Sequence, residues 1–176
     1  YQNLIAELLW YGALEETKVI NEKLNRSFYK KYGNKSSSSL PSYFNARQLM
    51  VLGNVRTLAA SGNFLAAKQY CDSLRAETKF TPENKSDVAF VVNCYTFISD
   101  YTYDVKDYKQ TIQLSNFVAL DAEKYDLKQQ KMLINAKLGT TYEKLNNFKQ
   151  ALHHINIADE NANKQSFNSS KFSIQI

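Results

Sequence analysis

The residues best suited to chemistry are two adjacent histidines, His153 and His154. Neighbours on a helix project about 100° apart, so the two rings cannot close on one metal. No HExxH, CxxC, Walker-type phosphate loop or GxSxG pattern accompanies them. Asp100 and Asp104, in "DYTYD", stand four apart and share a helical face. They could serve as a metal or acid/base pair, but the solvated edge of a groove is the simpler reading. Cys71 falls at a helical position that stacks on neighbours and reads as a buried core thiol. The run "KLNRSFYKKYGNK", Lys23 to Lys35, has five basic residues, no acid, and Phe28, Tyr29 and Tyr32 between them. Basic residues interleaved with aromatics can bind nucleic acid. They equally describe a helix C-terminus whose cations answer the dipole while the rings pack inward, and this second reading is preferred. No catalytic residue, cofactor or metal site is expected, and the chain reads as a non-enzyme.

The composition agrees. The 176 residues are about one domain's worth and long enough to bury a core. Only 5 Gly and 2 Pro punctuate a chain that is 44% hydrophobic, which favours long helices over a many-turned β fold. Twelve Tyr and ten Phe against a single Trp suit half-buried helix interfaces and grooves. A net charge of +5 and a pI near 9.0 fall short of the concentrated basic patch of a dedicated nucleic-acid binder. Two scattered cysteines make no disulfide framework and fit a reducing cytoplasm. No apolar run approaches the roughly eighteen residues of a membrane span. The chain begins at Tyr1, without Met or signal peptide, so a fragment is expected, and a missing domain at either end is to be kept in mind.

Helical spacing carries the elements that must hold any site. Residues 1–32 read as one N-terminal helix through Leu4, Leu8, Tyr11, Ile20, Leu24 and Phe28. "GNKSSSSLP", residues 33–41, reads as a flexible Ser-rich connection. Helices follow over 42–60, with Phe44, Leu49, Leu52, Val55 and Leu58 on one side, and over 64–78. "TPEN" then supplies Thr81 as N-cap and Pro82 as the first helical residue of a long helix to Tyr103. Further helices cover 108–122, 127–145 and 148–161. Residues 163–176, with Phe172, Ile174 and Ile176 alternating, read as a frayed tail or the start of a truncated helix.

Three of the turns superimpose without gaps. "NFLAAKQY" (Asn63 to Tyr70), "DYKQTIQL" (Asp107 to Leu114) and "NFKQALHH" (Asn147 to His154) each place a polar residue, an aromatic and then a small residue: Ala67, Thr111, Ala151. Their spacings are 44 and 40 residues. A fixed period of this size marks a helical repeat array, in which each hairpin buries its apolar face only by stacking on the next.

Leu138, Gly139, Tyr142, Ala151, Ile155 and Ala158 resemble the tetratricopeptide repeat pattern at that family's spacing. Ile98, Ser99, Thr102, Tyr108, Thr111 and Val118 form a degenerate copy. Gly62, Phe64 and Ala67 belong to an earlier one whose Leu52–Gly53 lies two positions early, and Trp10, Ala13 and Ile20 to a looser one still. The resemblance covers residues 42–162 and implies an all-α, right-handed superhelix of antiparallel helix pairs, a TPR-like α-solenoid. It also implies a concave wall, lined by the first helix of each pair, that binds an extended peptide or protein segment. On the family's inward offsets that wall carries Asn93, Thr96, Asp100 and Tyr103 on one helix and Lys137, Thr140 and Glu143 on the next. Arg56 joins from an earlier helix, with Asn54 its alternative because of the two-residue shift. Amide and charged groups there could pair with a peptide backbone; a solvated polar groove with no ligand is the bland reading. Ala136 and Thr140 stand where the chaperone-tail clamps of the family need Lys and Asn, which argues against such a clamp. The Asn-, Lys- and Ser-rich, lengthened repeats are similar to the peptide-sensing half of bacterial transcription regulators. In that reading DNA is bound only through a domain absent from this chain. The alternative is a structural adaptor in a larger assembly, with homodimerisation through a terminal helix.

Overall fold

In a computed structural model the described residues are 7–8, 12–33 and 41–163, the side chains of 41–45 and 163 excepted. The expectations placed on Leu4, Trp10, Tyr11, the Phe44 side chain, residues 34–40 and the tail lie outside them. Among the described residues the fold is all-helical, with seven α-helices and no strand. These are α1 (Leu14–Tyr32), α2 (Pro41–Ala60), α3 (Phe64–Glu77), α4 (Lys85–Asp104), α5 (Tyr108–Lys124), α6 (Lys128–Lys144) and α7 (Phe148–Asn163). They divide into two compact units at Cys71 and Asp72, inside α3.

One backbone device joins most of these helices. Between α2 and α3, α4 and α5, α5 and α6, and α6 and α7, three residues suffice, and the middle one is left-handed: Gly62 (φ 76°), Lys106 (φ 65°), Asp126 (φ 48°) and Asn146 (φ 57°). In each turn two N–H groups close back on the helix just ended. At the last of them, Asn146 N–H donates to Glu143 O at 2.9 Å and Asn147 N–H to Tyr142 O at 2.9 Å. This is the Schellman arrangement, which satisfies carbonyls that the helix end would otherwise leave unpaired. At three turns the next residue caps the following helix. Asn63, Asp107 and Asn147 accept through Oδ1 from the backbone N–H of Ala66, Gln110 and Gln150 at 3.2, 3.1 and 3.3 Å. The turn at Asp126 keeps the backbone pattern, but its Leu127 has no capping side chain.

The same device corrects the N-terminal reading. Gly12 is left-handed (φ 72°), Ala13 N–H donates to Leu8 O at 2.8 Å, and α1 starts at Leu14. One helix does not run through residues 1–32. Glycine lacks the Cβ that disfavours this conformation, and a single one suffices to turn the chain. The start of the long fourth helix also differs: Pro82–Asn84 is a 3-10 turn behind an extended Thr81, and the α-helix proper begins at Lys85.

In the first unit α1 packs on α2. Phe28, Met50, Val51 and Val55 are buried, and Lys30 and Lys31 fall in the last turn of α1, where cations oppose the helix dipole. Tyr29, expected to pack inward with Phe28, is instead exposed.

In the second unit α4, α5, α6 and α7 each pack on the next, and α4 also touches α6. Small residues set how closely the pairs approach. Where α4 meets α5, Ser99 Oγ lies 2.8 Å from Ser115 Oγ and Thr102 Oγ1 3.0 Å from Thr111 Oγ1, all four residues buried and their hydroxyls satisfied. Forty residues on, Gly139 replaces Ser99 and Ala151 replaces Thr111. A Cβ built on Gly139 would stand 2.7 Å from Ile155 Cδ1 and 3.3 Å from Ala151 O. A polar clamp fixes the segment leading into α4. The Arg75 guanidinium pairs with Asp121 through both nitrogens, one at 3.0 Å, and lies over the rings of Phe80 (4.4 Å) and Phe117 (4.9 Å). Tyr125 Oη donates to Phe80 O at 2.8 Å.

Two substitutions test this account of turns and crossings. Gly139→Ala should lower unfolding stability in urea by about 1–3 kcal/mol, because the added methyl would stand 2.7 Å from the Ile155 side chain and 3.3 Å from the Ala151 carbonyl. Lys106→Gly should raise stability by on the order of 1 kcal/mol, because it removes a side chain from a left-handed position. A neutral result for both would contradict the account.

Candidate functional site

Asn93, Thr96 and Asp100 recur three and four apart on α4 and so form one stripe. Leu133, Ala136, Lys137 and Thr140 do the same on α6. Because α4 touches α6 as well as α5, the two stripes face one open cavity of about 470 Å3, to which α5 contributes Ser115. Five of the nine expected wall residues line it: Asn93, Thr96, Asp100, Lys137 and Thr140.

Two side-chain links span the cavity walls. Gln130 Nε2 donates to Asn93 Oδ1 at 3.3 Å, and Lys137 Nζ lies 2.9 Å from Asp100 Oδ1. The Lys137 ammonium also stands 4.5 Å from the centre of the Tyr103 ring, so Tyr103 reaches the site through Lys137. The threonine hydroxyls bond to their own helices: Thr96 Oγ1 donates to Asn93 O at 2.8 Å and Thr140 Oγ1 to Lys137 O at 3.0 Å. Their oxygens keep acceptor capacity. Glu143, half-buried three residues beyond Thr140, does not line this cavity. Leu133, exposed by 45%, adds an apolar surface to the lining that was not expected, nor was Gln129 in the lining or the buried Gln130 behind Asn93.

Asn54 and Arg56 belong to the first unit. Asn54 is a hydrogen-bond hub there. Its Oδ1 accepts from Asn21 Nδ2 (2.7 Å) and Asn25 Nδ2 (2.8 Å), while its Nδ2 donates to Asn25 Oδ1 (3.2 Å) and Tyr70 Oη (3.0 Å). Burial pushes the Tyr70 phenol above its ordinary range, against the pull of the Asn54 hydrogen bond. These residues line a second cavity, of about 450 Å3, while Arg56 does not. The signal available in sequence was Asn21 and Asn25, four apart and so on one face of α1.

His154 takes a structural place at the α6–α7 contact, while His153 is exposed and meets the His154 ring edge-on, 5.2 Å between centres. Asn135 Nδ2 donates to Lys131 O at 2.8 Å, which fixes its amide; its Oδ1 then accepts, so His154 Nδ1, 2.9 Å away, carries the proton. The ring stacks on Tyr142, 5.4 Å between centres and 7° between planes. Asp104 is exposed, while Asp100 is the acid that meets Lys137. Cys71 and Cys94 are both buried, and neither forms a disulfide.

Comparison with protein-family models, with curated proteins and with solved structures finds no match for this chain. No helix among the described residues is long and apolar enough to cross a membrane.

Burial, and secondarily the charge of His153, hold His154 below its ordinary pKa of 6.5. The folded state therefore binds this proton less readily than the unfolded chain, and stability falls as pH drops from 6.5 toward the lower folded value. Urea midpoints measured across that window should decline for the wild type and decline less for His154→Gln. Equal slopes for the two proteins would contradict the assignment.

Proposed function

We propose that the chain is a TPR-like protein-interaction module and that the α4–α6 cavity binds an extended peptide segment. The observation that carries this reading is the cavity itself. Two parallel stripes of amide, hydroxyl and charged groups, with Leu133 among them, flank an opening of about 470 Å3, within the usual range for ligand sites. An extended peptide presents N–H and C=O groups on both edges, and carboxamides answer both with one side chain. The repeat part of the reading is supported by the recurring turns and caps, and by small residues at corresponding crossings. In this reading the module is the ligand-sensing part of a bacterial regulator, and DNA contact belongs to a domain outside this chain.

A second reading, a structural adaptor without a small ligand, has its own observation. Leu145, Phe148 and Leu152 are exposed by 48%, 53% and 55% at the end of α6 and along α7. Such residues suit a protein partner.

Ala136→Trp separates the two readings, because Ala136 lines the cavity and is half-buried. For peptides selected by the wild-type protein from a random-sequence library, the variant should bind about tenfold or more weakly, a loss of roughly 1.4 kcal/mol, with its unfolding midpoint unchanged. Equal binding would remove the cavity from the account. A stable protein complex that survives both Ala136→Trp and excess peptide would favour the adaptor.

A further inference from the structure

The Asp100–Lys137 contact looks at first like an ordinary surface ion pair, but its surroundings are those of a cation receptor. Asp100 and Tyr103 stand three apart on α4 and present a carboxylate and a ring face to the same point. A carboxylate together with an aromatic face is the chemistry that recognises an ammonium or guanidinium group. The group held there is the chain's own, Lys137 from α6, at 2.9 Å from the carboxylate and 4.5 Å from the ring centre. The Asp100 side chain is 50% exposed and that of Lys137 25%. A pair so open to water is weakly held and can exchange.

We infer that Lys137 is an internal occupant of a cation-binding corner, and that the segment bound in the cavity carries a Lys or Arg side chain that displaces it. This rests on the cavity being the binding site and adds the class of ligand. An incoming cation repeats the contacts Lys137 makes with Asp100 and Tyr103. The displaced ammonium, still on the cavity wall, is then free to pair with a carbonyl of the ligand. The charge of this part of the chain favours such a ligand: residues 72–163 hold thirteen acidic and eleven basic side chains, although the whole chain is net positive. The lining residues Asn93, Thr96 and Thr140 are uncharged, so recognition of charge falls on this corner alone among those three and the ion pair.

The probes are two capped pentapeptides, one with a central lysine between alanines and one with norleucine in its place. They are titrated by NMR against wild type, Lys137→Ala, Lys137→Ala/Asp100→Asn and Lys137→Ala/Ala136→Trp. Lys137→Ala vacates the corner, so it should bind the lysine peptide about tenfold more tightly than wild type and prefer it to the norleucine peptide by a similar factor. Asp100→Asn in that background should abolish the preference, and Ala136→Trp should abolish binding of both peptides. Binding that Ala136→Trp blocks but that shows no lysine preference overturns the cation corner and leaves the peptide cavity standing. Binding that Ala136→Trp does not affect overturns both, and so does an absence of binding to Lys137→Ala.

Discussion

Helix-to-helix distance in the second unit is set where side chains are smallest. At the α6–α7 crossing Gly139 leaves no room for even a methyl group against Ile155. At the α4–α5 crossing paired hydroxyls, Ser99 with Ser115 and Thr102 with Thr111, take the same place. Interiors pack at crystal-like density, so a bulkier residue there must push a whole helix. The unit's left-handed three-residue turns bring each helix back onto the one before it. Their central residues Lys106, Asp126 and Asn146 recur every twenty residues, which makes α5 and α6 each seventeen residues long. α4 also comes to lie beside α6, and the polar stripes on these two helices share a cavity.

That dependence explains what could be read from the chain. Turns marked by Gly62–Asn63 and Asn146–Asn147 were legible because those residue types tolerate left-handed backbone or cap the next helix. The turn at Tyr125–Leu127 shows only an aspartate at its left-handed position, so its kinship with the others was not apparent. Residues 1–32 read as continuous helix because apolar spacing carried across Gly12, and periodicity does not register one left-handed residue.

The candidate site was legible as stripes but not as contacts. Asn93, Thr96 and Asp100 share a face by spacing alone, as do Lys137 and Thr140. Nothing in a spacing says that Lys137 meets Asp100, 37 residues away, because that contact exists only once α6 lies against α4. The same holds for Asn54, whose partners come from α1 and α3, and for Gln130 on Asn93. Glu143 followed the stripe by number yet falls outside the cavity it was expected to line. The cavity that results is mostly neutral, lined by two carboxamides (Asn93 and Gln129), by hydroxyls and by apolar side chains such as Phe97, Leu133 and Ile134, with one ion pair. Such a lining can hold a polypeptide backbone of many sequences and discriminate at a single charged point.

The central claim is that the α4–α6 cavity receives an extended peptide. Its most direct test is a map of backbone and side-chain amide shifts in the isotopically labelled protein, titrated with a peptide it has itself selected from a random library. The account predicts that the largest changes fall on Asn93, Thr96, Gln129, Ala136 and Thr140, with the Asn93 and Gln130 carboxamides among them. Changes concentrated instead along Leu145, Phe148 and Leu152, with the cavity residues still, would contradict it.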